Sequence, residues 1–225
     1  FLKTAKNRQL FNKLISYLKA IKFWEDKDAG FWEEDPHETR ASSLAAVISG
    51  LQAIKPFIPV SRELITQGEK SLKRLLPYET ETRQYDSASL YALDPFGVVN
   101  EEMARTILGR VEENLLAGRE NGGIRYPGDR YNARHNNHAE WPLFLFKLAI
   151  GYKLVGENKK ARSFLSQGLS QEINGLFPEA FCDGDPQNYP LCWASAEAIS
   201  AIIIVDKRHR QEPSFSALVP SLSNT

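Results

Sequence analysis

The chain has no excess of charge of either sign: 28 Lys and Arg balance 28 Asp and Glu, for a formal net charge of +0. Proteins that hold nucleic acid by neutralising phosphates carry a basic surplus, so nucleic acid is not an expected partner. Cysteine is scarce, with only Cys182 and Cys192 among 225 residues. That excludes a small disulfide-stapled scaffold and makes free thiols the default. Long apolar runs are missing too. The longest, Ala198 to Val205, is broken by Ser200 and falls well short of the ~20 residues that a membrane helix needs, so no membrane partner is expected. No Gly-rich phosphate loop occurs. The chain begins Phe1-Leu2-Lys3, without Met and without a signal-peptide pattern. This suits a piece of something longer, and a cytoplasmic location is the expectation.

What is present is ordinary globular composition, with 42% hydrophobic and 25% charged residues, arranged with helical periodicity. Leu10, Phe11, Leu14, Ile15, Leu18 and Ile21 make an amphipathic stripe within Thr4 to Phe23. Leu44, Val47, Ile48, Leu51 and Ile54 make another within Ser42 to Lys55, which Pro56 stops. Ser61 caps a third helix running to Pro77, and Asp86 to Leu93 is a short fourth. Asn100 caps a fifth that Gly118 ends. Glu140 to Leu154 and Asn158 to Gln171 follow, the latter with Leu165 and Leu169 expected to face inward. Trp193 to Val205 is nearly all apolar and is expected inside the structure. The pattern predicts an all-α fold of about eight helices with no strand, and a loose tail over 211–225 after a helical domain covering 1–210.

Three connections exceed ordinary loop length: Glu25 to Arg40, Glu120 to His138 and Ile173 to Leu191. Long loops in a compact helical domain carry function. Each of these sets Trp, Tyr or Phe beside carboxylates, a combination suited to a sugar: aromatic faces stack on its C–H surface while charged groups bond its hydroxyls. Cleaving a glycosidic bond needs two carboxyl groups, one to protonate the leaving oxygen and one to activate water or attack. Candidates are Glu33 and Glu34 in Asp28-Ala29-Gly30-Phe31-Trp32-Glu33-Glu34, and Glu179 in Leu176-Phe177-Pro178-Glu179-Ala180-Phe181. On composition alone the plainer reading is favoured, with Glu33 and Glu34 a solvated acidic pair and Glu179 a helix cap or an exposed group, since most loop glutamates lie on the surface. His135 and His138 stand three apart without further ligands nearby, so no metal is expected. Phe23-Trp24-Glu25-Asp26 partly duplicates the acidic motif but lacks its preceding Gly, and reads as a helix end packed on the core.

These motifs resemble the glucoamylases of glycoside hydrolase family 15. The Asp28 to Glu34 stretch is similar to that family's acid motif. Arg125-Tyr126-Pro127-Gly128-Asp129-Arg130-Tyr131, followed by Trp141, is similar to its substrate segment. Phe177-Pro178-Glu179-Ala180 and the helix from Trp193 resemble its base segment and final helix, and Asp86-Ser87-Ala88-Ser89-Leu90 fits as well. Glu38-Thr39-Arg40-Ala41-Ser42-Ser43 and Glu140-Trp141-Pro142-Leu143-Phe144 resemble the regulatory α and β subunits of phosphorylase kinase, which share that fold and serve regulation.

The resemblance implies an (α/α)6 barrel, of which these residues supply the C-terminal two-thirds, helices five to twelve. The upstream W-x-R-D segment that holds the non-reducing-end sugar is not among them. It implies Glu33 as general acid and Glu179 as general base of an inverting, exo-acting hydrolase of α-linked glucans, without cofactor. Arg125, fixed by Asp129, would bond sugar hydroxyls. Trp32, Tyr126 and Trp141 would wall the sugar, and Glu34 would bond a hydroxyl in the next subsite. The phosphorylase kinase likeness implies instead a glucan-sensing module with a weak or silent cleft. Protein partners are left open.

Overall fold

In the computed structural model, residues 4–34, 36–131 and 138–206 are described. The tail over 211–225 and His135 lie outside them.

The expected helices form at the expected places: α1 (Ala5–Ala20), α2 (Ala41–Ile54), α3 (Arg62–Leu75), a short 3-10 helix (Ser87–Ala92), α4 (Glu101–Val111), α5 (Leu143–Leu154), α6 (Asn158–Leu169) and α7 (Cys192–Val205). Caps set several starts. The Ser61 hydroxyl accepts from Leu64 N at 3.2 Å, and Asn100 Oδ1 accepts from Met103 N at 2.9 Å, each satisfying an otherwise orphaned helical donor. A π-helical turn, Glu112–Leu116, extends α4 before the chain leaves through Gly118.

α5 is the centre of the molecule. From Leu143 to Tyr152 every residue is buried, because α6, α7, α4 and the 3-10 helix all pack on it. α2 pairs with α3 and carries Leu44, Ile48 and Leu51 into the same core. The fold is of the α/α toroid type, and no closed barrel forms among the described residues.

Four sequence expectations are corrected. Two short strands do form: β1 (Ala180–Cys182) and β2 (Asp185–Gln187) make an antiparallel hairpin, with Ala180 opposite Gln187. The turn takes Asp183 and Gly184 into the left-handed region, at φ 53 and 81, as tight hairpins require. α7 is not interior: Ile199 and Ile203 are 58% and 53% exposed, and only one of its faces meets α5 and α6. Leu169, in the last turn of α6, faces solvent rather than the core. In α1 no residue is buried; Leu10 and Leu14 are exposed, while Ile15, Leu18 and Ile21 touch the core.

Phe23, just after α1, is buried, and a Cβ on Gly68 of α3 would lie 2.7 Å from its ring. Helix α1 is thus anchored chiefly by its C-terminal end.

Candidate functional site

The loop from Asp28 to Glu34 is pinned to the N-terminus of α2. Asp28 Oδ1 accepts from Gly30 N at 2.6 Å and from the Ser43 hydroxyl at 2.7 Å. Arg40 Nε donates to Asp28 O at 3.0 Å. Gly30 sits at φ 65, where a Cβ would come within 2.0 Å of Arg40 Cδ, so no larger residue fits. Glu33, at φ 54, is a non-glycine residue in the left-handed region. Such strain costs about 1–3 kcal/mol and concentrates at working sites. Its side chain is exposed.

Beside it, Trp32 points inward. Its indole Nε1 donates to Asp86 Oδ1 at 2.9 Å, and its ring meets Phe144 edge-on at a centroid distance of 5.9 Å and Trp141 at 6.1 Å. Asp86 is buried and heavily bonded. It also caps the 3-10 helix through Ala88 N at 2.8 Å and pairs with Arg83 at 3.0 Å. Burial nonetheless raises its pKa, against those donors. Glu79 lies beneath, fully enclosed, with its carboxyl at the start of α2 accepting from Ser42 N and, at 2.5 Å, from the Ser42 hydroxyl. Burial, with the charge of Asp86 nearby, pushes Glu79 up to about 8.

The second loop is held by close backbone approach. Trp141 N donates to Gly123 O at 2.7 Å, and a Cβ on Gly122 would lie 2.2 Å from Trp141 O. Ser87 N donates to Arg125 O at 2.8 Å, joining this loop to the 3-10 helix. Arg125 and Asp129 form a two-pronged pair at 2.7 and 2.5 Å, and both residues are buried. The Arg125 guanidinium is also surrounded by rings: Trp32, Tyr126, Tyr131 and Trp141 have centroids 5.2, 5.5, 4.9 and 5.5 Å away. Burial works against its charge, but Asp129 and Glu34 outweigh that and raise its pKa. Glu34 accepts from the Tyr126 hydroxyl and from Arg83 at 2.9 Å, and lies 3.3 Å from Arg125. Burial and that bond to Glu34 push Tyr126 up to about 12.

Glu179 stands at the entrance of the hairpin. Asn188 Nδ2 donates to its Oε2, and the Tyr131 hydroxyl donates to the same oxygen at 3.4 Å. Burial and the Glu179 charge raise the Tyr131 pKa. Tyr131 in turn packs on Trp141 at 5.8 Å. A continuous path of contacts therefore joins the Glu33 loop to Glu179: Trp32, Trp141, Tyr131, Glu179. Trp32, Glu34, Arg125, Tyr126, Asp129 and Trp141 are brought into one cluster, with Glu33 and Glu179 at its margins. The buried indole Nε1 of Trp141 meets no acceptor among the described residues. Buried donors are seldom left so, and here the orphan lies within the cluster.

The sequence did not single out Arg83, Asn188 or a further buried group, Lys147. Lys147 Nζ bonds Asp94 at 2.9 Å and Glu197 at 3.0 Å, lies 4.4 Å from the Tyr91 ring, and supports Trp193 through Glu197. Arg83 lies three residues before Asp86 on a non-periodic stretch, and only that spacing hinted at its role. Cys182 is buried and Cys192 exposed, both free thiols. No group of metal-ligating residues gathers among the described residues, and no described helix is long and apolar enough to cross a membrane.

Compared by sequence, the chain matches no family profile and no curated protein. Compared by structure, it is similar to a wild-type glycosidase, with a TM-score of 0.69 and 17% identity over 92% of this chain and 59% of the other. A glutamate-to-alanine form of a glycosidase in complex with glucose matches at TM-score 0.68 and 16% identity over the same shares, 92% and 59%. The GH63 mannosylglycerate hydrolase from Thermus thermophilus, in complex with glucose, matches at TM-score 0.52 and 17% identity over 89% of this chain and 53% of that one. The chain thus spans 59% of the length of the first of these structures. The fold is a glycoside-hydrolase-like α/α arrangement.

Proposed function

We propose that the protein is a glycoside hydrolase acting on an α-linked glucan, with Glu33 as general acid and Glu179 as the base that activates water. The observation that carries this reading is the aromatic-walled Arg125–Asp129 pair lying between the two glutamate-bearing segments. A buried guanidinium ringed by Trp and Tyr faces offers what a pyranose needs: donors for hydroxyls and flat surfaces for its C–H face. Likeness to glycosidases, one of them in complex with glucose, supports the same class.

In this mechanism Arg125 bonds sugar hydroxyls and Asp129 keeps its fork in plane. Trp32, Tyr126 and Trp141 wall the ring, and Glu34 takes a hydroxyl beside Tyr126. Glu33 protonates the leaving oxygen. Glu179, aligned by Asn188 and Tyr131, removes a proton from the water that attacks the anomeric carbon. The product inverts if the carboxyls stand about 6.5–9.5 Å apart, leaving space for that water.

A second reading, oligosaccharide binding without hydrolysis, rests on the Glu140-Trp141-Pro142-Leu143-Phe144 segment and its likeness to kinase regulatory subunits. Incubation with maltooligosaccharides separates the two. Glucose release that falls by several orders of magnitude in Glu33→Gln and in Glu179→Gln supports hydrolysis. Oligosaccharide binding with no glucose released rejects it.

A further inference from the structure

A cavity of about 290 Å³ opens beside the hairpin, and none of the described residues that line it has a role in the mechanism above. Arg119, Asn121, His138, Glu140, Phe181 and Asp183 line it. Its size is at the lower end of small-molecule pockets and suits one ring rather than several.

The walls are built firmly. Glu140 and Phe181 exchange both backbone hydrogen bonds at 2.8 Å, so the β1 strand that follows Glu179 forms one side. Glu140 Oε2 accepts from Asn121 N at 2.8 Å and from Glu120 N at 3.2 Å, which fixes the facing loop. Arg119 Nε is anchored on Leu115 O at 3.0 Å. Its two terminal nitrogens bond no described residue and keep their donors available. His138 Nδ1 lies 2.9 Å from Asp129 O. A carbonyl only accepts, so Nδ1 carries the hydrogen there and Nε2 is the second polar group of the ring.

The charges decide the ligand. Among the described residues Arg119 is offset by Glu140 and Asp183, so these walls carry no cationic surplus to hold a phosphate or carboxylate. Instead there are donors, acceptors and one aromatic side chain, Phe181, which is the chemistry of a neutral polyol. We infer that this cavity binds one further pyranose unit of a glucan, outside the pair of catalytic carboxyls. The inference rests on the sugar class proposed above. Because Phe181 lies two residues beyond Glu179, and His138 holds the Asp129 backbone, a sugar seated here is tied mechanically to both halves of the site.

The test is titration of the protein with maltotriose, following the His138 ring resonances by NMR and assigning them through His138→Gln. The expected result is a saturable shift, with affinity weakened about tenfold or more in Arg119→Ala and in Asp183→Ala, the cost of one lost charge-assisted hydrogen bond. Cleavage of a small aryl glucoside would be unchanged in both variants, because neither residue touches the reacting bond. A His138 signal that stays still, or equal affinity in wild type and both folded variants, overturns the inference. Saturable binding at His138 without any glucose release leaves the pocket standing and rejects the hydrolase. Glucose release with a silent His138 does the reverse.

Discussion

Replacing Asp129 with Asn probes the pair on which the site is built. Asp129 is 2% exposed and Arg125 6%. Both prongs of the guanidinium fork end on this carboxylate, at 2.7 and 2.5 Å, and Tyr131 N donates to it at 2.9 Å. Asn keeps the shape and one acceptor but removes the charge, leaving a buried cation. Breaking a buried ion pair by removing one partner costs about 3–5 kcal/mol. Here Glu34, 3.3 Å from Arg125, remains as a partial counter-charge, so about 3 kcal/mol is the expected loss. For a domain of this size that is a fall of roughly 6–12 °C in Tm. Urea unfolding measures it as a lower midpoint at constant slope. The paired replacement Arg125→Met with Asp129→Leu should lose less than Asp129→Asn alone, since no charge is left unpaired. A loss below about 1 kcal/mol for Asp129→Asn would show that the pair behaves as an exposed one and would refute the claim that it is a buried pair walled off from water by the surrounding rings.

Three other outcomes follow from the same geometry. Gly30→Ala places a methyl against Arg40 at a left-handed φ; it should lower stability by more than the roughly 1 kcal/mol of a positive-φ strain alone, and wild-type stability in thermal unfolding would argue that the turn can open. Trp32→Phe keeps the packing but leaves Asp86 Oδ1 without its indole donor, at a cost of about 1–3 kcal/mol measurable by denaturant unfolding. Glu79 has a folded pKa of about 8, above its ordinary 4.5. The folded state therefore holds the proton that the unfolded state gives up, and stability declines as pH rises from about 4.5 to about 8. Glu79→Gln should flatten that decline, and unchanged pH dependence in the variant would show that Glu79 is not its source.

Much of the architecture was legible because it rests on local rules. The stripes of α2, α3 and α4, and the caps at Ser61 and Asn100, are written in consecutive residues. What was not legible depends on contacts distant in sequence. Ala180–Cys182 is too short to show alternation, and its partner Asp185–Gln187 is polar and contains Pro186, so neither segment signals a strand by itself, and the bridge from Phe181 to Glu140 joins residues far apart in the chain. α7 is mostly apolar, with its few polar residues too sparse to mark a solvent face, and such a helix does not reveal which face its neighbours cover. In the site, the aromatic and acidic motifs marked Trp32, Glu34, Arg125 and Trp141. The partners that hold them, Arg83 on Glu34 and Asn188 on Glu179, sit in stretches without periodicity.

The most direct test of the proposed chemistry is the anomeric form of the first sugar released from maltotriose, followed by NMR before mutarotation. A water activated by Glu179 on the face opposite the bond protonated by Glu33 predicts β-glucose as the initial product. Initial α-glucose would contradict this, because it requires the two carboxyls to work at the shorter separation of a covalent mechanism, and so would full turnover in the Glu179→Gln protein.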